Sequence, residues 1–161
     1  MKTKYLLLTI CLLISSMMYS QNNTYNNLFD KYENEDGVTV VSISKAMFQM
    51  MSGNVNTGHV DIKNIVPKIE SMLLITSNKI DIKEKMSTDF KSFINKNKDY
   101  EELMRVKDGK SHITFNIKKN KDNISELIML INDEEDFVAI QILGNFTLDD
   151  IQEIAKNKEI Q

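Results

Sequence analysis

Residues 100–143 read YEELMRVKDGKSHITFNIKKNKDNISELIMLINDEEDFVAIQIL, and this stretch decides the fold. It holds four runs of β-forming residues separated by short polar turns, at residues 100–107, 111–118, 124–131 and 137–143. Asp108 and Gly109 are favoured in a tight hairpin turn, so neighbouring runs are expected to pair antiparallel. The pattern predicts a four-stranded antiparallel meander.

Two of these strands differ in the spacing of their apolar residues. In the second strand Ile113, Phe115 and Ile117 alternate with polar residues, which predicts one buried face and one solvent face. Asn116 is then expected on the solvent side. Residues 137–143 are apolar almost throughout, which favours a position in the middle of the sheet.

The segments before the meander predict two further strands, three helices and one helical turn, and Ser44 is expected to cap the helix that carries Met47, Phe48, Met50 and Met51. Strands are predicted at residues 38–43 and 69–76, although the second run is also compatible with a helix. Apolar residues at helical spacing predict a short helix near Tyr32, one turn ending at Pro67, and a helix of about four turns after Asn78. The stripe of the four-turn helix consists of Ile82, Met86, Phe90, Phe93 and Ile94.

A last helix is predicted after the meander. Thr147 is its expected cap, Asp149 and Asp150 lie in its first turn, and the residues expected to face inward are Leu148, Ile151 and Ile154. The chain is therefore expected to form a single α+β domain with a mainly antiparallel sheet covered by amphipathic helices. Its predicted extent is residues 28–157, followed by a short tail at 158–161.

The first 20 residues have the three-part layout of an export signal. Lys2 and Lys4 precede an apolar run at 5–14, which Ser15 and Ser16 interrupt, and this layout predicts cleavage near Ser20 and a polar leader at 21–27. An uncleaved anchor is the competing interpretation, but spanning a bilayer takes about 20 apolar residues. A lipoprotein acylated at Cys11 is the third. The mature protein is expected in the periplasm or cell envelope, without a transmembrane segment.

Composition excludes several classes of function. Cys11 is the only cysteine, so the mature chain has no thiol for catalysis, redox exchange or metal binding. The whole chain has 20 basic and 23 acidic side chains, and removal of Lys2 and Lys4 makes it more acidic. Nucleic acid is therefore not expected as a partner.

The sequence nominates no catalytic, cofactor or metal residue. His59 and His112 are the only histidines and are not spaced as a ligand pair, and the acidic stretch 132–136 lacks the spacing of a calcium loop. The doublets Glu101-Glu102 and Asp149-Asp150 are not placed as catalytic pairs, and no serine lies in a nucleophile elbow. No cofactor is predicted, and the protein is not expected to be an enzyme.

Methionine is the one unusual component. A possible ligand or partner groove consists of Met47, Phe48, Met50 and Met51. Flexible thioethers suit adaptable binding surfaces, and exported methionine clusters can also bind copper(I). The alternative is that the helix carrying these residues turns the soft side chains into the core.

Four stretches together resemble a known family. They are FDKYENEDGVTVVSISKAMFQMM from Phe29, YEELMRVKDG from Tyr100, SELIMLI from Ser125 and FVAIQILGNFTLDDIQEI from Phe137. In combination they are similar to an uncharacterised family of exported proteins from Bacteroidota-type bacteria, catalogued as a domain of unknown function, number 4252. The resemblance implies an envelope location and a common fold, and it brings no activity, cofactor or catalytic residue. Many members look like lipoproteins, and frequent association with sigma-factor gene neighbourhoods implies a link to envelope signalling.

The leading hypothesis is thus a non-catalytic exported envelope binding or interaction domain, with its partner unidentified. The alternative is an apolar-ligand or lipid carrier, in which the four residues of the predicted groove line a cavity between helix and sheet. A hydrolase ranks third, and no residue is nominated for it. The sequence leaves the oligomeric state open.

Overall fold

The computed structural model describes residues 24–52, 65–120 and 123–151. The helices in these ranges are α1 (Thr24–Glu33), α2 (Lys45–Ser52), a short 3-10 helix (Val66–Lys68) and α3 (Ile80–Lys96). The strands are β1 (Val38–Ser44), β2 (Ile69–Ser77), β3 (Tyr100–Asp108), β4 (Ser111–Asn120), β5 (Asn123–Asn132) and β6 (Phe137–Phe146). Residues 148–151 begin a further helix.

The strands form one six-stranded sheet in the order β1-β2-β6-β5-β4-β3, and every neighbouring pair is antiparallel. The predicted meander is confirmed as β3 to β6, and the predicted α+β fold is confirmed with it. β6 lies between β2 and β5, as its nearly continuous apolar run predicts. The run at residues 69–76 is a strand, so the helical alternative for it was wrong.

Helices α1 and α3 contact each other and pack on one side of the sheet, which we call the helical face. Phe90 of α3 lies at the centre of this core, with its ring 5.3 Å from that of Phe29 and 5.6 Å from that of Phe137. Ile75, Ile128 and other core residues on the strands beneath are fully buried. The stripe predicted on α3 thus faces the sheet through Met86 and Phe90.

Polar contacts hold α1 to α3 at the border of this core. The Tyr32 hydroxyl donates a hydrogen bond to Asp89 over 2.6 Å, and the Lys31 ammonium donates to the same carboxylate. Burial, with the hydrogen bond to Asp89 second, raises the pKa of Tyr32, whereas the Lys31 contact lowers the pKa of Asp89. Asp89 therefore fixes the position of α1 against the longer helix.

Two predicted orientations are wrong. Asn116 of β4 is buried and not on a solvent face, because Asn116 pairs with Ile128, which belongs to the core under the helices. Consequently Ile113 and Phe115 point to the opposite side of the sheet, away from α1 and α3. Leu148 of the last helix is exposed, whereas Ile151 packs inward as predicted. Ile154 lies outside the described residues.

Candidate binding surface

The side of the sheet opposite α1 and α3, which we call the open face, carries continuous rows of uncharged side chains. Strand registers align the first row from edge to edge: Val41, Leu74, Ile140, Met129, Phe115 and Met104. The second row, one step closer to the β3-β4 and β5-β6 turns, is Thr39, Thr76, Val138, Ile131, Ile113 and Val106. Because side chains alternate along a strand, these residues point away from their buried neighbours in the core.

Both rows remain partly accessible. Val41 and Met104 at the two ends of the first row are 41% and 47% exposed, and the residues between them are half-buried. By contrast, Ile75 and Ala139 on the helical face of the same strands are 0% exposed. Within the described residues, no member of either row is part of a buried hydrophobic cluster. The open face is thus an apolar shelf across all six strands.

A second buried cluster, the end cluster, closes this shelf at one end. Its buried residues are Ile65, Ile117, Ile124, Leu127 and Phe146. Gly144 allows it to form, because a Cβ at this position would lie 2.4 Å from both the Lys68 carbonyl oxygen and the Phe146 ring. Only a residue without a side chain lets the 3-10 helix and this ring approach the strand so closely.

Polar contacts fasten the start of the last helix beside the end cluster. The Asp150 amide donates to the Thr147 hydroxyl over 3.2 Å, which confirms Thr147 as the predicted cap, and the Thr147 amide donates back to Asp150 over 2.7 Å. Lys68 donates to both carboxylate oxygens of Asp150 over 2.6 and 2.7 Å. The Lys68 contact, with the Thr147 amide second, lowers the pKa of Asp150.

At its other end the shelf is bounded by the acidic β5-β6 turn. Asp133 accepts hydrogen bonds from the backbone amides of Glu135 and Asp136 over 2.8 and 2.9 Å, and these bonds lower its pKa. Lys83 donates to the carbonyl oxygens of Asp133 and Glu134, and Lys110 pairs with the Glu134 carboxylate. The acidic residues therefore build the turn itself. In the part of the chain that the structure describes, no group of three His, Cys, Asp or Glu side chains could hold a metal ion.

The predicted methionine groove is only partly described. Phe48 is buried, whereas Met47 is 46% and Met50 is 70% exposed, and the side chain of Met51 lies outside the description. Helix α2 contacts β1, β2 and the 3-10 helix. Met47 and Met50 thus present thioethers to solvent beside the sheet, and the groove stays a prediction.

The remaining candidate side chains are dispersed over the surface. His112 is exposed, with Nδ1 3.1 Å from the Lys110 carbonyl oxygen, and His59 lies outside the described residues. Glu101 pairs with Lys119 and Glu102 with Arg105. Asp149 is exposed, unlike its neighbour Asp150. Among the described residues, the structure does not bring His112, Glu101, Glu102 and Asp149 together.

A polar cleft of about 460 Å³ lies near the end cluster. Its lining residues are Lys45, Pro67, Lys68, Glu70, Asn123, Asn145 and Thr147. Lys68 is already paired with Asp150, and the cleft is broad and open, so it contributes no convergent reactive group.

The sequence interpretation missed a buried polar group on the helical face. Gln141 donates to Glu126 over 2.6 Å, and both side chains are buried. Tyr100 also hydrogen-bonds Glu126, and burial together with that negative charge raises the pKa of Tyr100. The signal was present, since Glu126 and Gln141 are polar residues inside the apolar runs SELIMLI and FVAIQIL. Because Glu126 is satisfied by these partners, the group stabilises the sheet without offering a free acid or base.

No helix in the described ranges is long and apolar enough to cross a bilayer. Among known proteins, the family model described as Domain of unknown function (DUF4252) matches residues 32–154. No curated protein matches the chain.

Proposed function

Because the chain belongs to this family of unknown function, whose description states no activity, we propose its function from its surface. The protein is a non-catalytic, exported binding or interaction domain of the cell envelope, and it binds through the open face of its sheet. The link to envelope signalling implied by the family resemblance is part of this proposal.

One observation carries the proposal: two uncharged rows cross all six strands and stay partly accessible. With strands about 4.8 Å apart and same-face residues about 7 Å apart, the shelf measures roughly 25 by 15 Å, or about 400 Å². The largest apolar patch on a typical soluble monomer has a similar area and is often functional. Among the described residues at the two ends of the shelf, the carboxylates of Asp150, Glu134 and Asp133 are engaged by lysines or backbone amides, which favours binding over chemistry there.

Methionine oxidation tests whether the open face is occupied, because the chain offers a matched pair. Met104 on the open face is 47% exposed and Met47 on α2 is 46% exposed. The protein is oxidised with dilute peroxide in a gently isolated envelope fraction and, separately, as a dilute purified chain, and mass spectrometry quantifies both sulfoxides. We expect Met104 to be protected in the envelope and Met47 to react equally in both samples.

Other outcomes of the oxidation experiment contradict the open-face proposal. Equal oxidation of Met104 in both samples would show an unoccupied face. Protection of Met47 alone would move the binding site to the predicted groove on α2.

Export is a separate part of the proposal and rests on the layout of residues 1–20. The intact mass of the envelope protein checks it. We expect a chain that starts at Gln21. A mass that corresponds to a chain starting at an acylated Cys11 would mean that the protein is a lipoprotein.

An apolar-ligand or lipid carrier is the second candidate, favoured by the continuity of the uncharged rows from β1 to β3. Native mass spectrometry of the envelope protein separates it from the first. A retained lipid of defined mass on a monomer would support the carrier, and a lipid-free protein complex would contradict it.

A further inference from the structure

We propose that the open face is covered by the open face of a second copy of this chain, so that two sheets form a symmetric sandwich. This inference rests on the proposed function, since it names the partner of the same surface.

The composition of the shelf favours a homodimer over changing partners. Neither row contains a charged residue, although the opposite side of β3 carries Glu102, Arg105 and Lys107. Charged side chains are depleted from interface cores, and homodimer interfaces are more apolar than those of transient complexes. Between the two ends of the shelf, the charges on β3 thus lie on the side that would remain in solvent, whereas Glu101 and Asp108 lie on the open side at the rim of the shelf.

The shape of the shelf also fits its own copy. Two twisted sheets pack face to face about 10 Å apart with their strands nearly aligned. A two-fold axis parallel to the strands places the β1 edge of one copy over the β3 edge of the other. Val41 then opposes the longer side chain of Met104, and Thr39 opposes Val106, so that no two long side chains meet at the edges.

The strand order places β6 and β5 at the centre of the shelf. The two-fold axis therefore passes between Ile140 and Met129. Ile140 of each copy then lies opposite Met129 of the other copy. A patch that meets itself in this way forms a closed dimer and not an open chain of subunits.

The small area of the proposed interface favours a weak dimer. Two shelves of about 400 Å² each, with their rims, bury roughly 1,000 Å² in total, near the lower limit of specific interfaces. We therefore expect a reversible dimer with a dissociation constant in the micromolar range.

The test measures the mass of the purified chain from Gln21 onward by sedimentation velocity, from about 1 to 300 µM, a range that brackets micromolar affinity. The wild type is expected to shift from monomer to dimer. Met104→Glu and Val41→Glu each place a carboxylate in the interface at exposed edge positions that the fold tolerates, and should weaken dimerisation at least about tenfold. Ile80→Glu, at a 68% exposed position on α3, is the control and should dimerise normally.

Oxidation of the same samples gives an independent readout. Met104 is expected to become protected as the concentration rises, while Met50 on α2 stays reactive. Dimerisation that survives both edge variants would overturn the proposed interface.

The remaining results separate this inference from the proposed function. A monomer at all concentrations, with Met104 reactive when purified but protected in the envelope, would overturn self-association and leave a different occupant of the open face. A monomer with Met104 protected at every dilution would overturn it in favour of a cover from the chain itself. A monomer with Met104 reactive in both settings would overturn both.

Discussion

The helical face and the open face are built from the same strands, yet they have different environments. Ile75 and Ala139 are fully buried under α1 and α3, whereas their chain neighbours Leu74 and Ile140 on the other side are only half-buried. Strands that are apolar on both sides are typical of sheets covered on both sides. The described part of the chain packs α1 and α3 on one side only. The accessible apolar side of the sheet is therefore where a partner is expected to bind.

The largest expected effect breaks the helical face at its centre. Phe90→Ala removes a fully buried ring that packs on Phe29 and Phe137, and should lower the free energy of unfolding by about 3 to 5 kcal/mol. Phe115→Ala, on the open face, should cost the dilute protein only about 1 to 2 kcal/mol, because its ring is half-buried. Urea unfolding at low protein concentration measures both. Equal losses would mean that the two faces are equally covered.

The buried polar group provides the next effect. Gln141→Leu removes the amide that donates to Glu126 and should cost about 1 to 3 kcal/mol, since a buried carboxylate loses one of its donors. Ile140→Leu, on the open side of the same strand, is the control and should change the unfolding midpoint little. A neutral Gln141→Leu result would show that water or another donor replaces the amide.

A matched pair of small deletions sharpens the comparison directly. Ile75→Val should cost about 1 kcal/mol, because Ile75 is 0% exposed and leaves a small cavity. Ile140→Val, one face over on the adjacent strand, should cost less than half as much in the dilute protein. At concentrations where the proposed dimer forms, the two losses in free energy of unfolding should become similar. If the difference between them is the same at all protein concentrations, the open face is not covered by a second copy.

The smallest effect concerns the boundary of the open face. Contacts with Lys68 and Thr147 lower the pKa of Asp150 in the folded protein. The stabilisation from the Asp150 carboxylate is therefore complete above the ordinary aspartate pKa of about 3.9. It is lost as the pH falls through the lower pKa of the folded state. Asp150→Asn, which can still cap the helix, should lose up to about 1 kcal/mol at pH 7 and flatten the acid limb of stability. Asp149→Asn is the control, because Asp149 is exposed. Thermal unfolding from pH 2 to 7 checks this, and parallel curves for the two variants would contradict it.

Most elements of the fold were predictable because they depend on local pattern. The alternation in β4, the apolar run of β6 and the stripe on α3 each indicate their element without reference to the rest of the chain. Thr147 likewise caps the last helix, as the sequence predicts from local chemistry alone.

The surface was not predictable, because it depends on which side of the sheet receives the helices. Alternation in β4 separates Phe115 from Asn116 but does not say which of them meets α3. The apolar side of β4 was therefore assigned to the core, although Asn116 faces the core under the helices and only Ile117 of the apolar side is buried, in the end cluster. Glu126 and Gln141 were missed for the same reason, since only the register of β5 with β6 brings them together.

The strand order also determines how the sheet assembles in time. β3 to β6 pair with chain neighbours through short turns, whereas Met72 of β2 must find Ile142 of β6 far along the chain. Closing small loops costs little entropy, so we expect the meander to form first and the β1-β2 hairpin to dock afterwards. Pulsed hydrogen exchange during refolding would show amides of β4 and β5 protected before those of β1, and simultaneous protection would contradict this order. Until β2 docks, β6 is a bare sheet edge, and the newly made protein is then most exposed to aggregation.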